Sequence, residues 1–276
     1  MSAVVLYGVE YEPVHSSLLL YMESKNFANS KQKLDGKVFG IGMDVHKGAS
    51  EYRLVVERAK TTTKKPPLTK DLQVSKLYGR YLHSFGNMAL HLNYLSVLHD
   101  NIAITDGGDA YGVGVAYNFN KKLSADFTQF FTDYKDFDVY QSNLTLDYKM
   151  RLQNTKLKLT IENFAIKIDE QRPNNFTKNA QNSYFTTALK LHAHYALWHF
   201  GSAIFFSKRA FAIMNDGFKI QHHAMEFDRT YALGLGRSFG KTIVRMQYIY
   251  QRAKELPIQN SGVEVRNVRL LFNYKF

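Results

Sequence analysis

At 276 residues, with a formal net charge of +12 and no cysteine, the chain is long enough for one large domain and excludes a disulfide framework. Lys and Arg outnumber Asp and Glu by 36 to 24 but are spread singly, without a basic helix or patch, which argues against nucleic acid as a partner. The longest apolar runs, such as Ser17–Met22 and Ala203–Phe206, are far too short for a transmembrane helix, and the 20 Phe, 18 Tyr and only 5 Pro favour many strands joined by tight turns.

Met1–Val5 shows no basic stretch followed by an apolar core, so the adopted reading is a mature exported chain whose signal was replaced by an initiator methionine. Ala3–Glu12 alternates, with Val5, Tyr7, Val9 and Tyr11 on one face, until Pro13 interrupts it. Ser16–Glu23 is strand-like but alternates less well. Parity allows one of the two as the first membrane strand; residues 1–13 then serve as that strand, a plug or a periplasmic segment.

From Lys37 the rhythm is regular. Lys37–His46 and Tyr52–Arg58 meet at Lys47-Gly48-Ala49, and the polar loop Lys60–Asp71 follows. Val74–His83 and Met88–Val97 meet at Ser84-Phe85-Gly86-Asn87, and Asp100–Asp109 is again a loop, with Asp106-Gly107-Gly108 as its turn signal. Ala110–Phe119 and Lys122–Tyr134 form the next pair, then Val139–Met150 and Lys156–Lys167, joined near Gln153-Asn154. Asp169–Asn182 is a loop, and Tyr184–Leu197 meets Phe200–Arg209 at Trp198-His199. After a loop around Asn215-Asp216-Gly217, Glu226–Arg237 and Thr242–Arg252 are joined by Ser238–Lys241, and Glu255–Ser261 leads to the last strand.

That strand, Gly262–Phe276, places Phe276, Tyr274, Phe272, Leu270 and Val268 on one side and Lys275, Asn273, Arg269 and Asn267 on the other. It resembles the terminal strand of bacterial outer-membrane β-barrel proteins, which end in Phe with aromatic or apolar residues at every second position before it. Short turns alternate with long loops almost throughout, the brief connection near Lys135-Asp136 excepted, which is the asymmetry of periplasmic turns and extracellular loops. The expected fold is all-β, a transmembrane antiparallel up-and-down barrel of about 14 strands spanning residues 1–276 as one domain, similar in architecture to monomeric porins of the outer-membrane protein G type. The resemblance implies an outer-membrane location, contact with membrane lipid and lipopolysaccharide, and recognition by the barrel-assembly machinery through Phe272, Tyr274 and Phe276. A soluble sandwich or lipocalin-like barrel is disfavoured because the side opposite the apolar one carries Gly, Ala, Ser, Thr, Asn, Lys and Arg, which suit a wet lumen and not a dry core.

With the apolar side toward lipid, Arg53, Lys76, Arg80, Lys149, Lys156, Lys158, Lys190, His192, His194, Arg245, Arg269 and Lys275 point inward, against fewer acids, Asp44, Glu57, Asp126, Asp147 and Glu162. The resulting expectation is a porin passing small hydrophilic, preferentially anionic solutes, without cofactor or metal. An occluded barrel acting through its outer loops is the alternative. The basic loop Lys60–Lys70 suits lipopolysaccharide phosphates. His192 and His194 share a face but lack the carboxylate or Cys that a metal site needs. Barrel enzymes are the rival class: Asp136-Phe137-Asp138 and Asp44-Val45-His46 carry acids and a histidine, but without a constellation that brings them into hydrogen-bond reach of a nucleophile. Gly112–Gly114 and Gly234–Gly236 lie within alternating strands, not before a helix, and so are not phosphate loops.

Overall fold

The computed structural model describes residues 15–66, 68–101, 104–172, 174, 177 and 179–276. Among them no helix forms. Fourteen antiparallel strands close into a barrel in sequence order, with a two-stranded hairpin apart from it. The barrel strands are β1 (His15–Ala28), β2 (Lys33–Lys47), β3 (Ser50–Thr63), β4 (Leu72–Phe85), β5 (Met88–Asp100), β6 (Asp109–Asn118), β7 (Leu123–Asp133), β8 (Phe137–Leu152), β9 (Thr155–Glu170), β10 (Ser183–Tyr195), β11 (Trp198–Phe206), β14 (Met225–Phe239), β15 (Thr242–Glu255) and β16 (Asn260–Lys275); the hairpin is β12 (Ile213–Met214) and β13 (Lys219–Ile220). The barrel closes between β1 and β16, in register from Ser17↔Lys275 to Ala28↔Glu264, so no strand edge is left for edge-to-edge association. β1 coincides with the weakly alternating Ser16–Glu23; Ala3–Glu12 lies outside the described residues.

Alternation sets which face each residue takes. Outward positions keep an aliphatic band, for example Val113, Leu144, Ile161, Leu189, Leu233 and Met246, all exposed on the outside. Aromatics rim that band at both ends, Phe85, Tyr117, Phe239 and Tyr274 near the turns and Tyr111, Phe131, Tyr140 and Phe185 near the loops. Apolar groups turned outward round a whole circumference are stable against hydrocarbon, not water, and paired aromatic girdles fit its two interfaces. At the turn end the Arg237 guanidinium lies 5.0 Å from the Trp198 ring and 5.3 Å from the Phe239 ring, shielding its charge beside the lipid.

One end of the barrel carries the tight turns. The Ser-Phe-Gly sequences end in Gly86 and Gly240, whose φ of 59° and 56° open two-residue hairpins that suit glycine. The β10–β11 turn is Ala196-Leu197 and not Trp198-His199, because β11 begins at Trp198. β11 also stops at Phe206, short of Arg209. At the other end the connections differ from strict long loops: Asn29–Gln32, Tyr134–Asp136 and Leu256–Gln259 are brief, whereas residues 64–71, 171–182 and 207–224 are long. Inside, Gly40 leaves the wall bare where the Tyr21 ring crosses it; a Cβ there would stand 2.1 Å from that ring.

Candidate functional site

The inward positions of the wall converge on the lumen. Most of the cations there meet an acid. Arg53 pairs with Asp44, and its Nη2 also lies 3.5 Å from Glu51; Lys76 lies 2.5 Å from Glu57, which accepts a 2.7 Å hydrogen bond from Tyr21. Lys158 lies 2.8 Å from Asp147, Lys190 pairs with Glu162, and Arg80 lies 3.9 Å from Asp216. Arg269 donates from Nε to Glu23 at 2.6 Å, and Lys25 lies 3.4 Å from the same carboxylate. Glu23 escaped the sequence reading because its strand alternates poorly. The lumen is therefore charged but, toward the loop end, largely neutralised by pairing.

The outer half of the lumen is not wet. Residues 207–224 turn inward and fill it: Arg209, Phe211, Ala212 and Ile213 are buried against inward Tyr78, Val97, Phe130, Phe137, Phe164 and Phe205 from the wall. The expectation of a polar, water-filled lumen fails here because a loop, which the alternation of the strands does not report, supplies an apolar partner for the wall. Asn215 and Asp216 take left-handed φ of 55° and 56° before Gly217, which closes the β12–β13 hairpin. Gln141 on β8 clamps that hairpin, accepting from Ile213 N–H at 2.8 Å and donating to Ile213 C=O at 2.6 Å. Arg209 and Phe227 exchange two backbone hydrogen bonds of 2.9 Å at the base of the loop, Thr186 donates to Lys208 C=O at 2.8 Å, and Thr105 donates to His222 C=O at 3.3 Å. Two signals in the sequence mark this segment: the turn triplet Asn215-Asp216-Gly217 sits between two apolar pairs, and Phe211, Ile213, Met214, Phe218 and Ile220 are too many apolar residues for a loop in water.

Between this plug and the wall of β1 to β4 and β14 to β16 a gap of about 40 Å³ remains, bordered by Glu23, Glu57, Lys76, Lys219, His222 and Arg269. Burial pushes Lys219 down to about 7 and holds His222 and His223 well below the usual histidine range. Burial also lowers Arg209 to about 9, and among the described residues its Nε and Nη1 find no hydrogen-bond partner. Burying Phe211 and Ile213 stabilises docking by about 2 kcal/mol each, whereas each orphaned buried polar group costs roughly 1–3 kcal/mol.

The turn-side half differs. There, on β8 to β10, the inward residues are half-buried or exposed, and Lys149 stands directly opposite Lys158, Arg151 opposite Lys156, His192 opposite Lys158 and His194 opposite Lys156. The His194 and His199 rings lie 4.3 Å apart. Among the described residues no three His, Cys, Asp or Glu side chains converge as metal ligands. His194 faces Ala196 C=O at 2.7 Å and His199 the Ser238 hydroxyl at 2.8 Å. Asp44 and His46 do not form a dyad either, since Arg53 takes the first and Glu51, at 3.8 Å, faces the second.

No known family pattern and no curated protein matches the chain. Solved structures do. A bacterial polysaccharide outer-membrane secretin aligns with a TM-score of 0.55 at 10% identity, over 94% of this chain and 98% of that one. The fold is that of a bacterial outer-membrane β-barrel. Pseudomonas aeruginosa OprD aligns over 100% of this chain and 99% of its own, with a TM-score of 0.47 at 11% identity, and P. aeruginosa OpdO over 95% and 96%, with 0.47 at 10%. At such identities the likeness is one of architecture.

Proposed function

We propose that the chain is an outer-membrane channel that is closed on its outer side by its own loop, residues 207–224, and prefers small anionic solutes. The observation that carries the preference is the cation wall on β8 and β9. Like charges directly opposite each other weaken a sheet, yet Lys149↔Lys158 and Arg151↔Lys156 stand one after the other on an inner face. Asp147 is the acid among them, and it is engaged by Lys158 and Thr160. An anion passing between the cations relieves that repulsion, and excess positive charge on a pore wall raises the local concentration of anions.

The test is current through the refolded protein in a planar bilayer under a salt gradient. The expected reversal potential is that of an anion-selective pore, and Lys149→Glu with Lys156→Glu should move it toward cation selectivity. A reversal potential that the double variant leaves unchanged would remove the assigned role of this wall.

The density of the plug supports a second reading, a permanently closed barrel acting through its outer loops. Silence of the full chain at every voltage, together with steady current through a barrel lacking the plug, favours that reading.

A further inference from the structure

The lipid-facing surface is uneven round its circumference. On the wall from β14 through β15, β16, β1, β2 and β3, the outward positions toward the loop end hold Arg229, Arg252, Arg266, Lys37, Lys60 and Arg58, all exposed. Two pairs stand directly opposite each other, Arg229↔Arg252 and Lys37↔Lys60. The acids of this wall are fewer: Glu264 lies 2.6 Å from Arg266, Asp71 lies 3.4 Å from Lys60, and Asp35 accepts from Thr62 at 2.9 Å. The opposite wall, β6 to β10, has aromatics at the corresponding outward positions, Tyr111, Phe131, Tyr140 and Phe185, with the acids Asp109, Asp133 and Asp169 and the single cation Lys167.

These cations point away from the lumen, so the passage of solutes does not account for them. Repelling cross-strand pairs gain nothing from the sheet itself. Directly below them the outward side chains are apolar, Phe39, Val56, Val268 and Tyr248 among them. A molecule that satisfies both zones has clustered phosphates above and acyl chains below. We propose that this wall binds lipopolysaccharide of the outer leaflet, its phosphates seated on Arg229, Arg252, Lys37 and Lys60. The proposal deepens the outer-membrane reading and rests on its orientation, loops outward. Charge complementarity identifies the partner: cations clustered at a membrane interface attract anionic headgroups, and their effect fades within a Debye length.

The experiment titrates the refolded full chain with fluorescent lipopolysaccharide, with dephosphorylated lipopolysaccharide and with phosphatidylglycerol vesicles. The barrel variants are a quadruple substitution, Arg229→Gln, Arg252→Gln, Lys37→Gln and Lys60→Gln, and a control, Lys167→Gln. The quadruple variant should bind lipopolysaccharide at least about tenfold more weakly, since each cation near the surface contributes to attraction, and the control should match the parent. Dephosphorylated lipopolysaccharide should bind weakly to all. Equal binding by parent and quadruple variant overturns the proposal, as does equal binding of phosphatidylglycerol or of the dephosphorylated lipid to the parent. The folded-barrel mobility shift in unboiled gels shows that each variant has closed, and bilayer conductance tests the channel reading separately. A conducting quadruple variant with undiminished lipid binding refutes the lipid site alone.

Discussion

The two halves of the lumen are built from the same fourteen strands and the same alternation, and they differ in what covers the inward side chains. Toward the loops the wall turns Tyr78, Phe130, Phe137 and Phe164 inward, and residues 207–224 bury them. Toward the turns it carries Lys149, Lys156, Lys158, His192 and His194, and these remain in contact with solvent. A barrel of this width does not dictate an open pore; its interior polarity, varied along the strand length, decides where it is dry and where it is wet. The dry half sets whether anything passes, and the wet half sets what.

The sharpest way to break this comparison is to remove the cover. Replacing residues 210–221 with a short Gly-Ser linker leaves every barrel strand intact, so the variant should still insert and run as a folded barrel. Its open probability should rise from rare openings to that of a steadily open pore. The inward aromatics of the outer half would then face water, and stability in urea should fall. An unchanged current would mean that something other than this loop closes the lumen.

Acid should act in the same direction, less strongly. His222 and His223 sit in the docked plug with their pKa values pushed well below the usual 6.5, and Lys219 is pushed down to about 7. The groups that face them are Lys25 and Glu23 on β1, Lys33 on β2, Glu57 on β3, Lys76 on β4 and Arg269 on β16. A released loop takes up protons at ordinary values, so it binds more of them than the docked one. The histidine part of the docking energy is fully present above about pH 6.5 and is lost as pH falls below it; the lysine part is already declining between about 10.5 and 7. Open probability should therefore rise as pH is lowered from 9 to 5. His222→Gln with His223→Gln should remove the portion below pH 6.5, and a pH-independent open probability in the parent would contradict the assignment.

Alternation at period two was enough to indicate an all-β barrel of about fourteen strands, because in a sheet with hydrocarbon outside a one-residue slip would turn Tyr248 in and Arg245 out. Strand ends were less legible. β11 stops at Phe206 since Arg209 leaves the ladder to bury its guanidinium over the Phe205 ring, at 4.8 Å. The plug was not read from the strands at all. Its apolar residues sit in a loop, where period carries no information, and their partners lie on β4 to β11, far away in sequence. Pairing within the lumen was hidden for the same reason: Arg269 and Glu23 meet only because β16 closes onto β1.

The smallest and most local change sharpens the comparison at one side chain. Gln141 belongs to the wall, on β8, but its amide serves the plug, satisfying both the N–H and the C=O of Ile213. Leucine has a similar size and no hydrogen-bonding group, so Gln141→Leu leaves the barrel and its apolar contacts in place. It strands two buried backbone groups of the hairpin, which costs docking roughly 2 kcal/mol and leaves the released loop, solvated, unaffected. That is about a thirtyfold shift of the closed-to-open ratio. The variant should open more often at neutral pH, keep the parent's unit conductance and ion selectivity, and insert normally, because the turn-side cations are untouched. A changed reversal potential instead of a changed open probability would show that Gln141 shapes the permeation path directly, and that the two halves of the lumen are not separable in the way their burial indicates.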